Sequence, residues 1–152
     1  MLLNGFNHVA ILTNDTERFV TFYRDIFGAE VDGQLKEADG MTLTFVKVGP
    51  RAEINLFEVE GNTEADRQIP MFGRGRIDHL ALEAQDLAAF ETARDRLIAA
   101  GATDGFVTDF GPILSLFFLD PDGLEAELCI ANPDAQPGVT NPPGTPAARY
   151  AG

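Results

Sequence analysis

Histidine, cysteine and basic residues are scarce in this chain: two His, one Cys and eleven Lys plus Arg stand among 152 residues, against twenty-four acidic ones. Each shortage excludes something. A single cysteine, Cys129, cannot form an internal disulfide. The formal charge of -13 repels phosphate backbones and anionic lipid surfaces, so neither nucleic acid nor a membrane is expected as a partner. The opening "MLLNGFNHVAIL" has no basic stretch and no long apolar run, which predicts a cytoplasmic protein. What is present is apolar bulk. With 45% hydrophobic residues and twelve Phe, the chain can bury a globular core.

Both histidines stand at the same point of the same local pattern, in "FNHVAILTND" and "IDHLALEAQD". The first opens a strand, and Asn14 or Asp15 then caps a helix carrying Phe19, Phe22, Tyr23 and Ile26 at helical spacing, with Gly28 as its stop. Strands follow around Met41 to Val48 and Glu53 to Val59, separated by a turn at "GPRA". The order then restarts. "IDHLALE" reads as a strand, and "DLAAFETARDRLIAAGA" as a helix with Phe90, Ala93, Leu97 and Ile98 on its apolar side and Gly101 as the stop. Strands at Leu114 to Leu119 and Leu124 to Ile130 flank the turn "DPDG".

Offsets agree along the chain: His8 to His79 and Phe19 to Phe90 are seventy-one apart, Pro50 to Asp122 seventy-two, and Gly28 to Gly101 seventy-three. This predicts an α+β protein of two duplicated βαβββ modules with curved mixed sheets, residues 1–60 and 77–131, joined by a polar linker over 61–76. Each module is too short to bury both faces of its sheet, so one shared core is expected. Five of the nine prolines fall within 132–152, which reads as an extended tail, ordered only where it lies on something.

Strand alternation decides which residues share a face. His8 lies opposite Val9 and Ile11 in parity, and His79 opposite Leu80 and Leu82. In the last strand of each module an offset of seventy-two pairs Asn55 with Glu127 and Glu53 with Glu125, alternating with Ile54, Leu56, Ala126 and Leu128. Two imidazoles and one carboxylate, with positions left open for a ligand, are a set that binds Fe(II) and comparable divalent ions.

The segments "NHVAILTNDTERFVTFYRDIFGAEV", "IDHLALEAQDLAAFETARDRLIAAGAT" and "LFFLDPDGLEAEL" resemble the vicinal oxygen chelate superfamily, which groups glyoxalase, bleomycin-resistance and extradiol-dioxygenase-like proteins. The resemblance covers residues 4 to 131. It implies a glyoxalase-like fold with a metal-binding cleft, His8, His79 and Glu127 as metal ligands, and a fourth, variable ligand position at Asn55. The implied cofactor is a divalent ion, Fe(II) first, with Zn(II), Mn(II) and Ni(II) as alternatives. Asn55 departs from the carboxylate that glyoxalase-like members carry there, because an amide is a poor ligand and no base.

By parity the pocket walls include Phe6, Leu43, Phe45, Phe57, Ser115 and Phe117, a lining suited to an apolar or aromatic substrate with vicinal oxygens. Both histidines being spent on the metal, the acid/base candidates are a metal-bound water, Glu53 or Glu125 on the ligand-bearing face, and Tyr150 of the tail, with Glu53 the best placed. Ring-cleaving chemistry that relies on a further histidine is disfavoured. The expected function is a metal-dependent dioxygenase or lyase/isomerase, with a metal-free sequestering protein of the bleomycin-resistance type as the alternative. Exposed sheet edges predict a homodimer.

Overall fold

The computed structural model describes residue 2, residues 5–36 and residues 40–150. Along them run β1 (His8–Thr13), α1 (Thr16–Phe27), β2 (Glu30–Lys36), β3 (Met41–Gly49), β4 (Ala52–Val59), β5 (Ala81–Glu83), α2 (Leu87–Ala99), β6 (Val107–Asp109), β7 (Ile113–Leu119) and β8 (Glu125–Ala131). The sheets have orders β1-β4-β3-β2 and β5-β8-β7-β6. In each, the first strand runs parallel to the last and the other neighbours are antiparallel. The α+β fold of two βαβββ modules with mixed sheets is therefore the one the repeat predicts.

The chain divides into two compact units, Met1–Gln68 with Pro121–Gly123, and Ile69–Asp120 with Leu124–Gly152. In the first unit Asp15, not Asn14, caps α1 by accepting from Arg18 N at 2.9 Å. Phe19, Tyr23 and Ile26 recur at helical spacing and are buried, as are Val46, Ile54 and Leu56 of the sheet. Gly28 ends the helix at φ 72, where its N–H reaches Arg24 O at 2.9 Å and Ala29 N–H reaches Tyr23 O at 3.2 Å. The turn residue Asp122 also belongs to this unit, accepting from Thr13 Oγ1 at 2.8 Å and from the Arg18 guanidinium.

The second unit repeats the scheme around Phe90, Leu97, Leu116, Phe118, Ala126 and Leu128. Asp86 caps α2 by accepting from Ala89 N at 2.8 Å. Ile98 differs from expectation and is 41% exposed, because Phe90, Ala93 and Leu97 already form the inward stripe. The strand expected over "IDHLALE" shortens to Ala81–Glu83. Upstream of it Arg74 Nη1 donates to the carbonyls of Asp78 and Glu125 at 3.0 and 2.8 Å, a side chain taking the place of ladder bonds. The proline-rich tail lies along β6: Asp109 N donates to Thr145 O at 2.8 Å, and Ala147 N to Val107 O at 3.0 Å. No helix among the described residues is long and apolar enough to cross a membrane.

Candidate metal centre

In the first unit, register places His8 beside Glu53, Ala10 beside Asn55, and Leu12 beside Phe57, while Phe45 sits across from Asn55 on the other side. His8, Glu53, Asn55, Phe57 and Phe45 therefore share one face, and Ile54 and Leu56 fill the buried one. His8 is exposed, and its Nδ1 donates to Asn7 Oδ1 at 2.8 Å. Asn55 Oδ1 is shielded from solvent and receives no hydrogen bond among the described residues. Phe6 lies ahead of β1 and is 91% exposed. With Asn7, Lys47, Arg51 and Glu53 it lines a cavity of about 370 Å³.

The second unit draws its polar side chains together. β8 alternates so that Glu127 shares a face with Cys129, and Phe117 and Ser115 of β7 stand directly across from these two. Glu127 is buried; Ser115 Oγ donates to its Oε1 at 2.6 Å, and its Oε2 lies 3.1 Å from His79 Nε2. His79 stands just ahead of β5, where Leu80 O accepts from Glu127 N at 2.9 Å. Its Nδ1 faces Asp78 Oδ2 at 2.8 Å, and Phe117 packs edge-on against the ring, centroids 6.1 Å apart.

The electrostatics of this cluster follow from two carboxylates flanking one imidazole. The Asp78 hydrogen bond raises the His79 pKa, and the Glu127 charge adds to it against the opposing cost of burial. The same bond lowers the pKa of Asp78. A neutral imidazole has one N–H, so it cannot donate to both carboxylates. The space between Nε2 and Oε2 thus calls for a positive charge, either a proton or a cation.

The pair fits a metal. Two ligands about 2.1 Å from one divalent ion and at right angles to each other lie about 3.0 Å apart, against the 3.1 Å found here. The bond to Asp78 fixes the proton on Nδ1 and leaves the Nε2 lone pair free, the arrangement of a carboxylate-backed metal histidine. Among the described residues no three His, Cys, Asp or Glu side chains form a cluster able to hold an ion. Of the predicted triad, His79 and Glu127 meet within the second unit, and His8 belongs to the first.

The remaining predicted site residues are distributed unevenly. Tyr150 packs on α2, its ring 6.0 Å from Phe90 and under the Arg94 guanidinium at 5.1 Å, and meets neither Glu127 nor His79. Cys129 directs Sγ to Leu82 O at 3.4 Å; burial, then the Glu127 charge, raises its pKa, so it is a structural thiol. Asp78 and Asn7 escaped the sequence reading. Their signal was present, a polar residue directly ahead of each histidine at an offset of seventy-one.

Two βαβββ modules with mixed sheets are the architecture that the resemblance to the vicinal oxygen chelate proteins implies. The chain belongs to the Glyoxalase/Bleomycin resistance protein/Dioxygenase superfamily, whose family model matches residues 5–128.

Solved structures agree on the fold. A glyoxylase/bleomycin resistance protein/dioxygenase domain from Frankia sp. EAN1pec shares 20% identity at a TM-score of 0.70, over 87% of this chain and 95% of that one. The trypanothione-dependent glyoxalase I of Leishmania major shares 21% at 0.59, over 83% and 86%. The fosfomycin resistance protein FosX of Listeria monocytogenes, solved with Mn(II) and sulfate, shares 20% at 0.61, over 86% and 95%. A sequence comparison with curated proteins finds no match.

Proposed function

We propose that this protein is a cytoplasmic, homodimeric, metal-dependent enzyme of the dioxygenase or lyase/isomerase type, acting on a small apolar or aromatic substrate that chelates through adjacent oxygens. The proposed ligands are His8, His79 and Glu127, with Fe(II) first and Zn(II), Mn(II) or Ni(II) as alternatives. The observation that carries the reading is the His79–Glu127 pair, 3.1 Å apart and braced from behind by Asp78 and Ser115. FosX, with its bound Mn(II), supports it by likeness of fold.

A divalent ion at such a pair supplies Lewis acidity toward two neighbouring substrate oxygens. The chain's own residues do the rest. Ser115 holds one carboxylate oxygen of Glu127 and so turns the other toward His79. Phe45 and Phe57 on one face, and Phe117 on the other unit's face, offer apolar walls, and the unpartnered Asn55 oxygen offers an acceptor for a substrate hydroxyl. Glu53 shares the His8 face and is the proposed proton acceptor; Tyr150 is committed to anchoring the tail on α2.

The test is elemental analysis after reconstitution with Fe(II), Mn(II), Ni(II) or Zn(II), with about one ion per chain expected. Protein that holds none of these ions would overturn the enzyme reading in favour of metal-free sequestration. Metal-loaded protein is then assayed with catechols and with 2-oxoaldehyde–thiol adducts while oxygen uptake is followed, in parallel with Glu53→Gln.

A further inference from the structure

The loop from Ile69 to Asp78 is held by charged side chains. Arg74, its side chain 11% exposed, donates from Nε to Ile69 O and from Nη1 to Asp78 O and Glu125 O, and its Nη2 lies 3.6 Å from Glu125 Oε2. Glu125 Oε2 also accepts from Met71 N at 3.1 Å. Within this knot Phe72 takes φ 65, the one positive value at a non-glycine among the described residues, with its side chain 91% exposed. L side chains adopt that conformation rarely, and it persists only where neighbours impose it.

Asp78 is the neighbour that does so. Its Oδ1 accepts from Phe72 N, while its Oδ2 accepts from His79 Nδ1 at 2.8 Å. One carboxylate thus spans the strained loop and the ring whose far nitrogen faces Glu127. The corresponding residue of the first module, Asn7, has a single acceptor oxygen, which accepts from His8 Nδ1.

We infer that Asp78 is a positioning residue: it sets the tautomer and orientation of His79 with one oxygen and is itself anchored to the 69–78 loop through the other. The inference rests on the metal reading only for what binds at Nε2; the hold on the ring is independent of it. An asparagine there could serve one of the two donors and not both, so Asp78→Asn must release either the ring or the loop.

The two roles separate experimentally, because Phe72→Gly keeps the N–H yet removes the strain, glycine adopting positive φ freely. Wild type, Asp78→Asn, Phe72→Gly and the double variant are compared by three readouts. These are 15N NMR of the His79 ring in metal-free protein at a pH where imidazole is neutral, Mn(II) affinity by competition with a chelator, and protease resistance of the loop. Wild type and Phe72→Gly are expected to carry the proton on Nδ1 and to bind Mn(II) alike. Asp78→Asn should lose that tautomer preference and roughly ten- to hundredfold in affinity. The double variant should regain loop resistance while its affinity stays low. Unchanged tautomer and affinity in Asp78→Asn would overturn the inference, and so would recovery of affinity in the double variant, which would make Asp78 a loop brace only. If wild type binds no Mn(II), the affinity comparison is made with Fe(II), Zn(II) or Ni(II); if it binds none of the four the metal reading fails, and the NMR comparison still decides the role of Asp78.

Discussion

The two modules repeat a backbone and differ in chemistry. At matching positions the first carries Asn7, His8, Leu43, Phe45 and Asn55, and the second Asp78, His79, Ser115, Phe117 and Glu127. In the first, the histidine is exposed beside an amide and the Asn55 oxygen meets no donor among the described residues. In the second, a hydroxyl, an imidazole and two carboxylates form one connected chain. A buried carboxylate needs a partner at each oxygen: Glu127 has the Ser115 hydroxyl at one, and its other faces the His79 nitrogen across a gap that a proton or cation would fill. The lesson is that two equivalent frames differ through a few side chains, which in the second unit join a hydroxyl, an imidazole and two carboxylates.

The largest expected effect tests that asymmetry directly. His79→Ala removes the ring braced against Glu127 and should weaken metal binding by more than the roughly ten- to hundredfold typical of losing a residue behind a ligand. His8→Ala removes a ring held only by a neutral amide and should cost less. Equal losses, measured by elemental analysis after gel filtration, would show that the halves contribute alike and would break the comparison.

The modules also differ at their sheet edges. β2 is seven residues long and guards itself with Glu30, Asp32 and Lys36 and a bulge between Val31 and Gly33, with Asp32 paired to Lys47 at 2.8 Å. β6 has three residues and is covered by the tail through Thr145 and Ala147, with Asn141 N donating to Phe110 O at 3.1 Å. A chain ending at Asn132 loses three backbone bonds together with the buried Ala147 and the packed Tyr150 ring. It should be less stable by about 3 kcal/mol, at about 1 kcal/mol per bond. Asp32→Ala, which breaks one exposed ion pair, should cost far less. Urea unfolding of both variants sharpens the contrast, and a tail removed at no cost would refute it.

Period-two alternation and the seventy-one-residue offset carried most of the architecture. They are consequences of strand geometry that survive burial, so the faces holding His8, Asn55 and Glu127 could be assigned without coordinates. β2 and β6 could not be located individually. β2 carries charges and a glycine where a strand reads as apolar, and β6 is too short for a pattern, being completed by residues nearly forty positions away. The role of Asp78 was likewise hidden, since it depends on which way two carboxylate oxygens point inside a loop whose path is set by Arg74.

A third prediction transplants the chemistry. Asn55→Glu places in the first module the carboxylate that Glu127 is in the second, but Leu43 stands where Ser115 would donate. Partly buried without that donor, the new carboxylate should destabilise the protein by about 2 kcal/mol. Adding Leu43→Ser should return part of the loss despite the smaller side chain. If Asn55→Glu alone leaves the urea midpoint where it was, donors are not what separates the two modules.

The smallest effect concerns the tail's anchor, which the first module lacks. Burial, and then the nearby Glu91 charge, raises the Tyr150 phenol above its ordinary value of 10.0. The fold therefore favours the neutral form, and the sign follows: the contribution is complete below the unfolded-state value and drains away as pH rises through it toward the folded-state one. Wild type should lose thermal stability more steeply than Tyr150→Phe across that window and run parallel to it near neutrality. Phe keeps the ring against Phe90 and beneath Arg94, so packing is held constant and the difference isolates the hydroxyl. Parallel melting curves throughout the alkaline range would mean that the hydroxyl is as well solvated in the fold as in the unfolded chain, and that the ring alone fastens the tail.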